Sequence, residues 1–162
     1  MRTFLFILFL TSTSVFSQEK ISDVLKKYNS ETIPYIQVDS LQKLSNVIIL
    51  DAREKREFSV SHLPNSVYVG YQYFDLKKVK KMLPDKNARI VVYCTLGVRS
   101  EDIAEKLKKA GYTKVLNLFG GIFEWKNKGY RVLDVKNNET ENVHVCNTYW
   151  SQWLKKGKKI YE

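Results

Sequence analysis

Runs of apolar residues and helically spaced apolar residues follow each other along the middle of the chain. Short runs rich in apolar and β-branched residues predict strands at 35–38, 47–50, 67–69, 89–93 and 115–118. Apolar residues at helical spacing, with capping or turn residues beside them, predict helices at 40–44, 54–60, 74–83, 100–110 and 122–128. The pattern is therefore one of strands and helices in regular alternation.

This alternation predicts an α/β fold with a mostly parallel central sheet and helices on both faces. Ligands of such sheets bind beyond the carboxyl ends of the strands. Asp51 follows the predicted strand 47–50, and Cys94 follows the predicted strand 89–93. Both residues are therefore expected at the edge of the sheet where a site would form.

The two ends of the chain differ from this central part. A short basic start, an apolar run at 4–10 and small polar residues at 11–17 predict a secretory signal peptide at 1–17, cleaved after Ser17. The protein is then exported, to a periplasm or out of the cell. A retained anchor is the alternative, although the apolar run is too short to span a bilayer.

The remaining segments divide into three parts. Residues 18–32 are predicted to be a mobile lead-in that contains a helical turn at 21–28, and residues 33–133 to be the α/β domain. Residues 134–162 form a C-terminal extension that we expect to pack on the domain. Within it, 143–146 predicts a strand, and Trp150, Trp153 and Leu154 predict an apolar helix face that packs against the core.

The formal net charge of +10 raises the question of nucleic-acid binding. Lysines cluster only at 77–81 and 155–159, and no nucleic-acid motif accompanies them. We therefore interpret the basic residues as solvated surface charge, and expect a monomer without a nucleic-acid partner and without stable membrane insertion once the signal peptide is removed.

Cys94 is the residue most suggestive of chemistry. It stands where a strand turns into a helix, and there the unpaired backbone N–H groups and the positive end of the helix dipole stabilise an anion. The thiolate, which is the nucleophilic form of cysteine, is favoured at such a position. Gly97 allows the backbone to curl, and Arg99 adds a fixed positive charge.

A second cysteine, Cys146, leaves an ambiguity. In an oxidising compartment two cysteines suggest a disulfide, and a permanent bond to Cys146 would remove Cys94 as a nucleophile. Cys146 could also be a resolving thiol or a buried structural residue, the interpretation that we favour. The sequence does not decide between these alternatives.

Three motifs together resemble the single-domain rhodanese family of sulfurtransferases. They are Asp-Ala-Arg-Glu at 51–54 with Glu57, Phe58 and His-Leu-Pro at 62–64; Val-Val-Tyr-Cys at 91–94 with Gly97 and Arg-Ser at 99–100; and Leu-Phe-Gly-Gly-Ile at 118–122 with Trp125. The likeness covers roughly residues 33–132, and the order and spacing of the three motifs make it specific.

The resemblance implies that Cys94 carries a sulfane sulfur as a persulfide. The donor would be thiosulfate or a persulfide or polysulfide, and the acceptor a thiol or cyanide, with no cofactor and no metal. The substrate-binding residues would be the loop residues Thr95, Leu96, Gly97, Val98 and Arg99. Their N–H groups would surround the sulfur, and Arg99 would either orient an anionic donor or hold the loop by hydrogen bonds.

Structural support would come from Asp51, Arg53 and Glu57, as a buried ion-paired group after the strand. The loop carries no basic residue before Arg99, whereas family members that use thiosulfate often have more charge there. This departure counts against thiosulfate as the physiological donor.

Two other functions remain open. Cysteine phosphatases and arsenate reductases use a similar cradle, but their loop is longer than the four residues between Cys94 and Arg99. A short loop suits a single sulfur atom better than a tetrahedral oxyanion. The other alternative is a non-catalytic binding or redox-sensing module in the cell envelope, in which Cys94 does not turn over.

Overall fold

The computed structural model describes residues 19–161, in which a parallel five-stranded sheet forms the centre. The strands are β1 Tyr35–Ile36, β2 Ile48–Asp51, β3 Ser66–Tyr68, β4 Arg89–Tyr93 and β5 Lys114–Leu118. Their spatial order is β1-β5-β4-β2-β3, and all four pairings are parallel. The predicted α/β class with a mostly parallel sheet is confirmed.

Helices cover both faces of this sheet. They are α1 Ile21–Tyr28, α2 Val38–Gln42, α3 Lys55–Val60, α4 Leu76–Met82, α5 Val98–Lys109 and α6 Gly121–Asn127. Successive residues of β4 point to opposite faces, so Val91 packs with residues of α1, α2 and α6, whereas Val92 packs with residues of α4 and α5. The continuous apolar run of β4 is therefore buried on both sides, as expected for a central parallel strand.

The helical turn predicted at 21–28 is confirmed, but it is a helix packed on the domain and not part of a mobile lead-in. Residues 21–28 form α1, and its Val24 and Leu25 are buried in the core. The reason is visible in the sequence, because Ile21, Val24, Leu25 and Tyr28 share one helix face. The predicted signal peptide, 1–17, lies outside the described residues. No helix within 19–161 has the length and apolar character that crossing a membrane requires.

The C-terminal extension packs on the α6 side of the sheet. Its strands are β7 Glu139–Thr140, β8 Asn142–His144 and β9 Lys158–Ile160, and its helix α7 is Thr148–Ser151. Strand β7 pairs with β6 Val132–Leu133, which ends the predicted domain. Val143, Val145, Trp153 and Leu154 join the same core as α6. The strand predicted at 143–146 ends at His144, because Cys146 turns into the left-handed region with φ of 63°.

Candidate active site

Cys94 and Asp51 lie side by side at the carboxyl edge of the sheet. Strands β2 and β4 are adjacent, and Asp51 pairs in register with Tyr93, the residue before Cys94. Cys94 is buried in the short loop that leads into α5 at Val98. The topology thus brings together two positions that the sequence places 43 residues apart (94 − 51).

The start of α6 fixes the backbone of this loop. Its first free N–H groups, those of Ile122 and Phe123, donate hydrogen bonds of 3.0 and 3.2 Å to the carbonyl oxygens of Cys94 and Thr95. Each peptide unit is planar and trans, so its N–H points opposite to its C=O. The amides of Thr95 and Leu96 therefore point away from α6, which leaves them unengaged by the helix.

Gly97 brings a backbone donor directly to the cysteine. Its N–H donates to Cys94 Sγ over 3.1 Å, while its carbonyl oxygen accepts from the amides of Asn117 and Asn29 at 2.8 and 2.9 Å. The φ of 120° at this position favours glycine. The hydroxyl of Ser100 lies 3.5 Å from Cys94 Sγ, but it donates its one proton to Asn117 Oδ1 over 2.6 Å. The Gly97 N–H thus provides the polar contact that stabilises negative charge on the sulfur.

Arg99 is held by Glu57 rather than left free at the mouth of the site. The guanidinium donates to both carboxylate oxygens of Glu57, at 2.6 and 2.7 Å, and to the hydroxyl of Thr95 at 2.8 Å. Thr95 in turn donates to Glu57 over 3.1 Å. Of the two roles that the sequence left open for Arg99, this geometry matches the one in which it holds the loop.

Asp51 and Arg53 form a separate, fully buried ion pair. Arg53 Nη2 lies 2.7 Å from Asp51 Oδ2 and 2.6 Å from the carbonyl oxygen of Ser61, and the hydroxyl of Tyr93 donates to the same Asp51 oxygen. The three supporting residues were predicted to form one group, but they belong to two ion pairs, because Glu57 pairs with Arg99 and not with Arg53. Asp51 and Arg53 fix the chain after β2, whereas Glu57 acts on the cysteine loop itself.

Glu57 is ionised in the folded protein. Burial by itself disfavours the carboxylate, but the hydrogen bonds and charge of Arg99, with the charge of Arg53, outweigh it and hold the pKa of Glu57 far below its usual range. A carboxyl group whose pKa is depressed by folding stabilises the protein above its unfolded pKa, and that contribution disappears as the pH falls towards the folded pKa.

We therefore expect Glu57→Gln to lower the free energy of unfolding at pH 7 by about 3 kcal/mol, because it leaves Arg99 without its buried partner. Below the ordinary glutamate pKa of about 4.3, the difference between the wild type and the variant should narrow. Urea unfolding at several pH values measures it. Glu139→Gln, at an exposed position, is the matched control, and a constant difference between pH 3 and pH 7 would contradict the account.

Cys146 also enters the site, whereas we had favoured a purely structural role for it among the alternatives that the sequence left open. Its Sγ lies 3.2 Å from Glu57 Oε1, 3.5 Å from Thr95 Oγ1 and 3.7 Å from Arg99 Nη2. Burial, together with the Glu57 carboxylate, raises the pKa of this thiol to about 11. Both cysteines are free thiols in the structure, and that of Cys146 is neutral at physiological pH.

His144 stands behind Cys146 and is fully buried. Its Nδ1 accepts a hydrogen bond from the N–H of Cys146 at 3.0 Å, and burial lowers the pKa of His144, so the ring is neutral with its proton on Nε2. Glu57, His144 and Cys146 bring potential metal-ligand atoms within 4.8 Å of one another. Both Glu57 oxygens already accept hydrogen bonds from the Arg99 guanidinium, and His144 Nδ1 accepts from the Cys146 N–H, so these ligand atoms already have partners within the protein.

A cavity of about 270 Å³ opens beside Cys94. Its lining residues come from the cysteine loop, α5 and the C-terminal extension: Cys94, Thr95, Leu96, Val98, Arg99, Cys146 and Trp150. The predicted loop residues are therefore gathered around one space, with Gly97 behind the sulfur. Trp150 packs against the core as predicted, but it also lines the cavity, a role that sequence reasoning missed.

Comparisons with known proteins agree with this architecture. The family model described as "Rhodanese-like domain" matches residues 36–128. A tRNA uridine(34) hydroxylase of Aster yellows witches'-broom phytoplasma is 37% identical over 111 residues, which are 67% of this chain and 35% of that protein. The chain thus spans about a third of the length of this relative.

Two solved structures are similar as well. Thiosulfate sulfurtransferase from Pseudomonas aeruginosa is 25% identical with a TM-score of 0.58, and the match covers 63% of this chain and 20% of that one. A rhodanese-related protein from Thermoplasma volcanium is 27% identical with a TM-score of 0.54, over 62% of this chain and 97% of that one. With its sheet order, its cysteine loop and the family match over more than half of its length, the chain belongs to the rhodanese-like domain family.

Proposed function

We propose that the protein is a sulfurtransferase in which Cys94 carries a sulfane sulfur between a donor and a thiophilic acceptor. The observation that carries the proposal is the seat of Cys94 Sγ, which accepts the Gly97 N–H at 3.1 Å and faces a cavity large enough for a substrate. Backbone donors of this kind stabilise both the attacking thiolate and the negative charge of a persulfide. The name of the Pseudomonas structure supports the same chemistry.

The transfer takes place in two displacements. In the first, the Cys94 thiolate attacks the sulfane sulfur of a donor, the donor's bond to that sulfur breaks, and the donor leaves with the electron pair as a thiolate or sulfite. In the second, an acceptor thiolate or cyanide attacks the outer sulfur of the Cys94 persulfide and regenerates the thiolate. No external oxidant or reductant is consumed, and Arg99 serves by keeping the loop closed through Glu57 and Thr95.

The hydroxylase activity in the name of the phytoplasma relative is not part of the proposal, because the match covers 35% of that protein. We propose further that the protein works outside the cytoplasm, on the basis of the predicted signal peptide. A non-catalytic module is the alternative, and it predicts that Cys94 does not acquire sulfur.

Mass spectrometry tests the proposal. We expect the reduced protein, after exposure to polysulfide and removal of the excess, to gain one sulfur atom on the peptide that contains Cys94. Cyanide should remove this sulfur as thiocyanate. The peptide that contains Cys146 is the internal control, because a thiol with a pKa of about 11 is a poor nucleophile at pH 7.5. Sulfur found only at Cys146, or no gain with thiosulfate, polysulfide or an organic persulfide, would refute the proposal.

A further inference from the structure

The cavity beside Cys94 has mostly apolar walls. Leu96, Val98 and Trp150 contribute hydrocarbon and aromatic surface, and Cys146 contributes a neutral thiol. Its volume of about 270 Å³ equals the liquid volume of roughly nine water molecules. A single sulfur atom needs far less space, so the cavity can also receive the group to which the sulfur is attached.

Among the described residues that line the cavity, Arg99 is the one with a cationic side chain, and Glu57 already neutralises its charge. Glu57 binds the guanidinium through two hydrogen bonds at 2.6 and 2.7 Å, and Thr95 accepts a third at 2.8 Å. An anionic donor that used Arg99 would have to compete with a buried carboxylate for the same N–H groups. The lining therefore offers no unpaired positive charge to a donor.

These two features favour one class of donor. Moving a dianion such as thiosulfate into an apolar cavity removes its hydration without an unpaired cation to replace it. An uncharged organic group gains free energy when it covers apolar surface, and an aromatic group gains more against the ring of Trp150. The selectivity of the pocket therefore follows from what surrounds the thiol.

Trp150 is held in place by its own neighbours. Its ring lies 6.0 Å from Tyr28 in α1, 5.2 Å from Tyr149 and 5.5 Å from Trp153, measured between centroids. Trp153 is buried in the core, so this aromatic cluster is anchored. The wall that Trp150 forms lies outside residues 36–128, the part matched by the family model.

We propose that the sulfur donor of this protein is an organic persulfide whose carbon group is uncharged and apolar, and that this group lies against Trp150, Leu96 and Val98. The proposal rests on the sulfurtransferase function proposed above. The Cys94 thiolate attacks the outer sulfur of R–S–SH, the S–S bond of the donor breaks, and the R–S⁻ product takes a proton from solvent as it leaves. Cys94 keeps the transferred sulfur as a persulfide.

The test compares two persulfides that differ in charge. Benzyl persulfide and 2-sulfonatoethyl persulfide carry the same reacting group, and quench-flow with intact-mass detection gives the second-order rate constant for loading of Cys94. We expect benzyl persulfide to react at least about tenfold faster. Equal rates, or faster loading by the sulfonate, would overturn the inference and leave the sulfurtransferase function standing. Failure of both donors and of polysulfide would instead refute the function.

Two variants locate the selectivity in the pocket. Trp150→Ala should slow loading by benzyl persulfide about tenfold and change the sulfonate rate by less than about twofold. Val98→Lys places a cation in the lining and should shift the ratio of the two rate constants towards the sulfonate. The ratio is the readout, because a change in the reactivity of Cys94 itself alters both rates alike.

Tyr73→Ala is the matched control, since it removes an aromatic ring that is 82% exposed and outside the lining. It should leave both rate constants as in the wild type. Equal loss with both donors in Trp150→Ala would contradict a specificity role for this residue. If Val98→Lys left the ratio of the two loading rate constants unchanged, it would contradict the claim that the missing cation excludes anionic donors. This outcome is informative even if Trp150→Ala fails to fold.

Discussion

Replacing Cys94 by serine should abolish sulfur transfer, with a loss on the order of 10⁶-fold, the scale seen when an enzyme loses its nucleophile. A serine hydroxyl is not ionised near neutral pH and cannot hold the sulfur as a persulfide. The Gly97 N–H would face an oxygen instead of the sulfur that it now contacts at 3.1 Å. Thiocyanate formation from polysulfide and cyanide, corrected for the uncatalysed reaction, gives the rate.

The control for this experiment is the other thiol. Cys146→Ser also removes one cysteine, but it should still gain one sulfur atom at Cys94, whatever the rate of loading. Cys94→Ser should gain none while keeping its circular dichroism spectrum, since the substitution replaces a single side-chain atom by a smaller one and leaves the backbone bonds of the loop in place. Retention of a tenth of the wild-type activity by Cys94→Ser would show that another group carries the sulfur.

The sheet and the cysteine loop could be predicted because they depend on local patterns. The apolar run before Cys94 predicts a strand buried on both faces, and the helical spacing after it predicts α5. The parallel topology then places the ends of β2 and β4 side by side, which is where Asp51 and Cys94 lie. Each of these steps uses only periodicity and the known geometry of parallel sheets.

The part of the site that Cys146 contributes could not be predicted in this way. Glu57 and Cys146 are separated by 89 positions, and their contact depends on how the extension docks on the domain. Nothing in the periodicity near Cys146 marks it as part of a site. Its left-handed φ of 63° aims the backbone out of β8, and this turn becomes visible only in the fold.

The role of Trp150 in lining the cavity was missed for a related reason. The spacing of Trp150, Trp153 and Leu154 predicts one face of a continuous helix, but α7 ends at Ser151 after a single turn. Trp153 and Leu154 then enter the core, while Trp150 stays at the rim and lines the cavity. The break in the helix thus separates residues that the pattern had grouped together.

Segments at both ends of the chain meet on the same side of the site. The indole N–H of Trp153 donates to the carbonyl oxygen of Glu19 at 2.9 Å, and Tyr28 contacts Trp150. The family-matched residues 36–128 supply the nucleophile and its loop, whereas the flanking segments supply an aromatic wall. The proposed donor pocket therefore combines Leu96 and Val98 of the common domain with Trp150 of the flanking segment, whereas the nucleophile belongs to the common domain alone. The donor series tests this pocket, and Cys94→Ser tests the nucleophile.

Gly121→Ala should have the second largest effect, because this glycine touches the backbone of the cysteine loop. A Cβ at Gly121 would lie 2.3 Å from the carbonyl oxygen of Cys94 and 2.7 Å from the carbonyl group of Thr95. The φ of 52° is also unfavourable for alanine. The loop must therefore move away from α6, and the hydrogen bond from Ile122 N–H to Cys94, now 3.0 Å, is lost. We expect loading of Cys94 to slow by roughly a hundredfold, as when reacting groups are misplaced by about 1 Å.

Gly111→Ala is the control for Gly121→Ala, because it introduces backbone strain without a steric clash. Gly111 has φ of 93°, but among the described residues no atom beyond its two chain neighbours lies within 4 Å of the position that a Cβ would take. Its replacement should lower the free energy of unfolding by only about 1–2 kcal/mol through strain and leave persulfide loading unchanged. Gly121→Ala adds a steric conflict with the loop, so it should lower that free energy by more, about 3 kcal/mol, and slow loading as well. If urea unfolding and loading kinetics gave the same result for both variants, the contact between α6 and the loop would not be what seats the sulfur of Cys94.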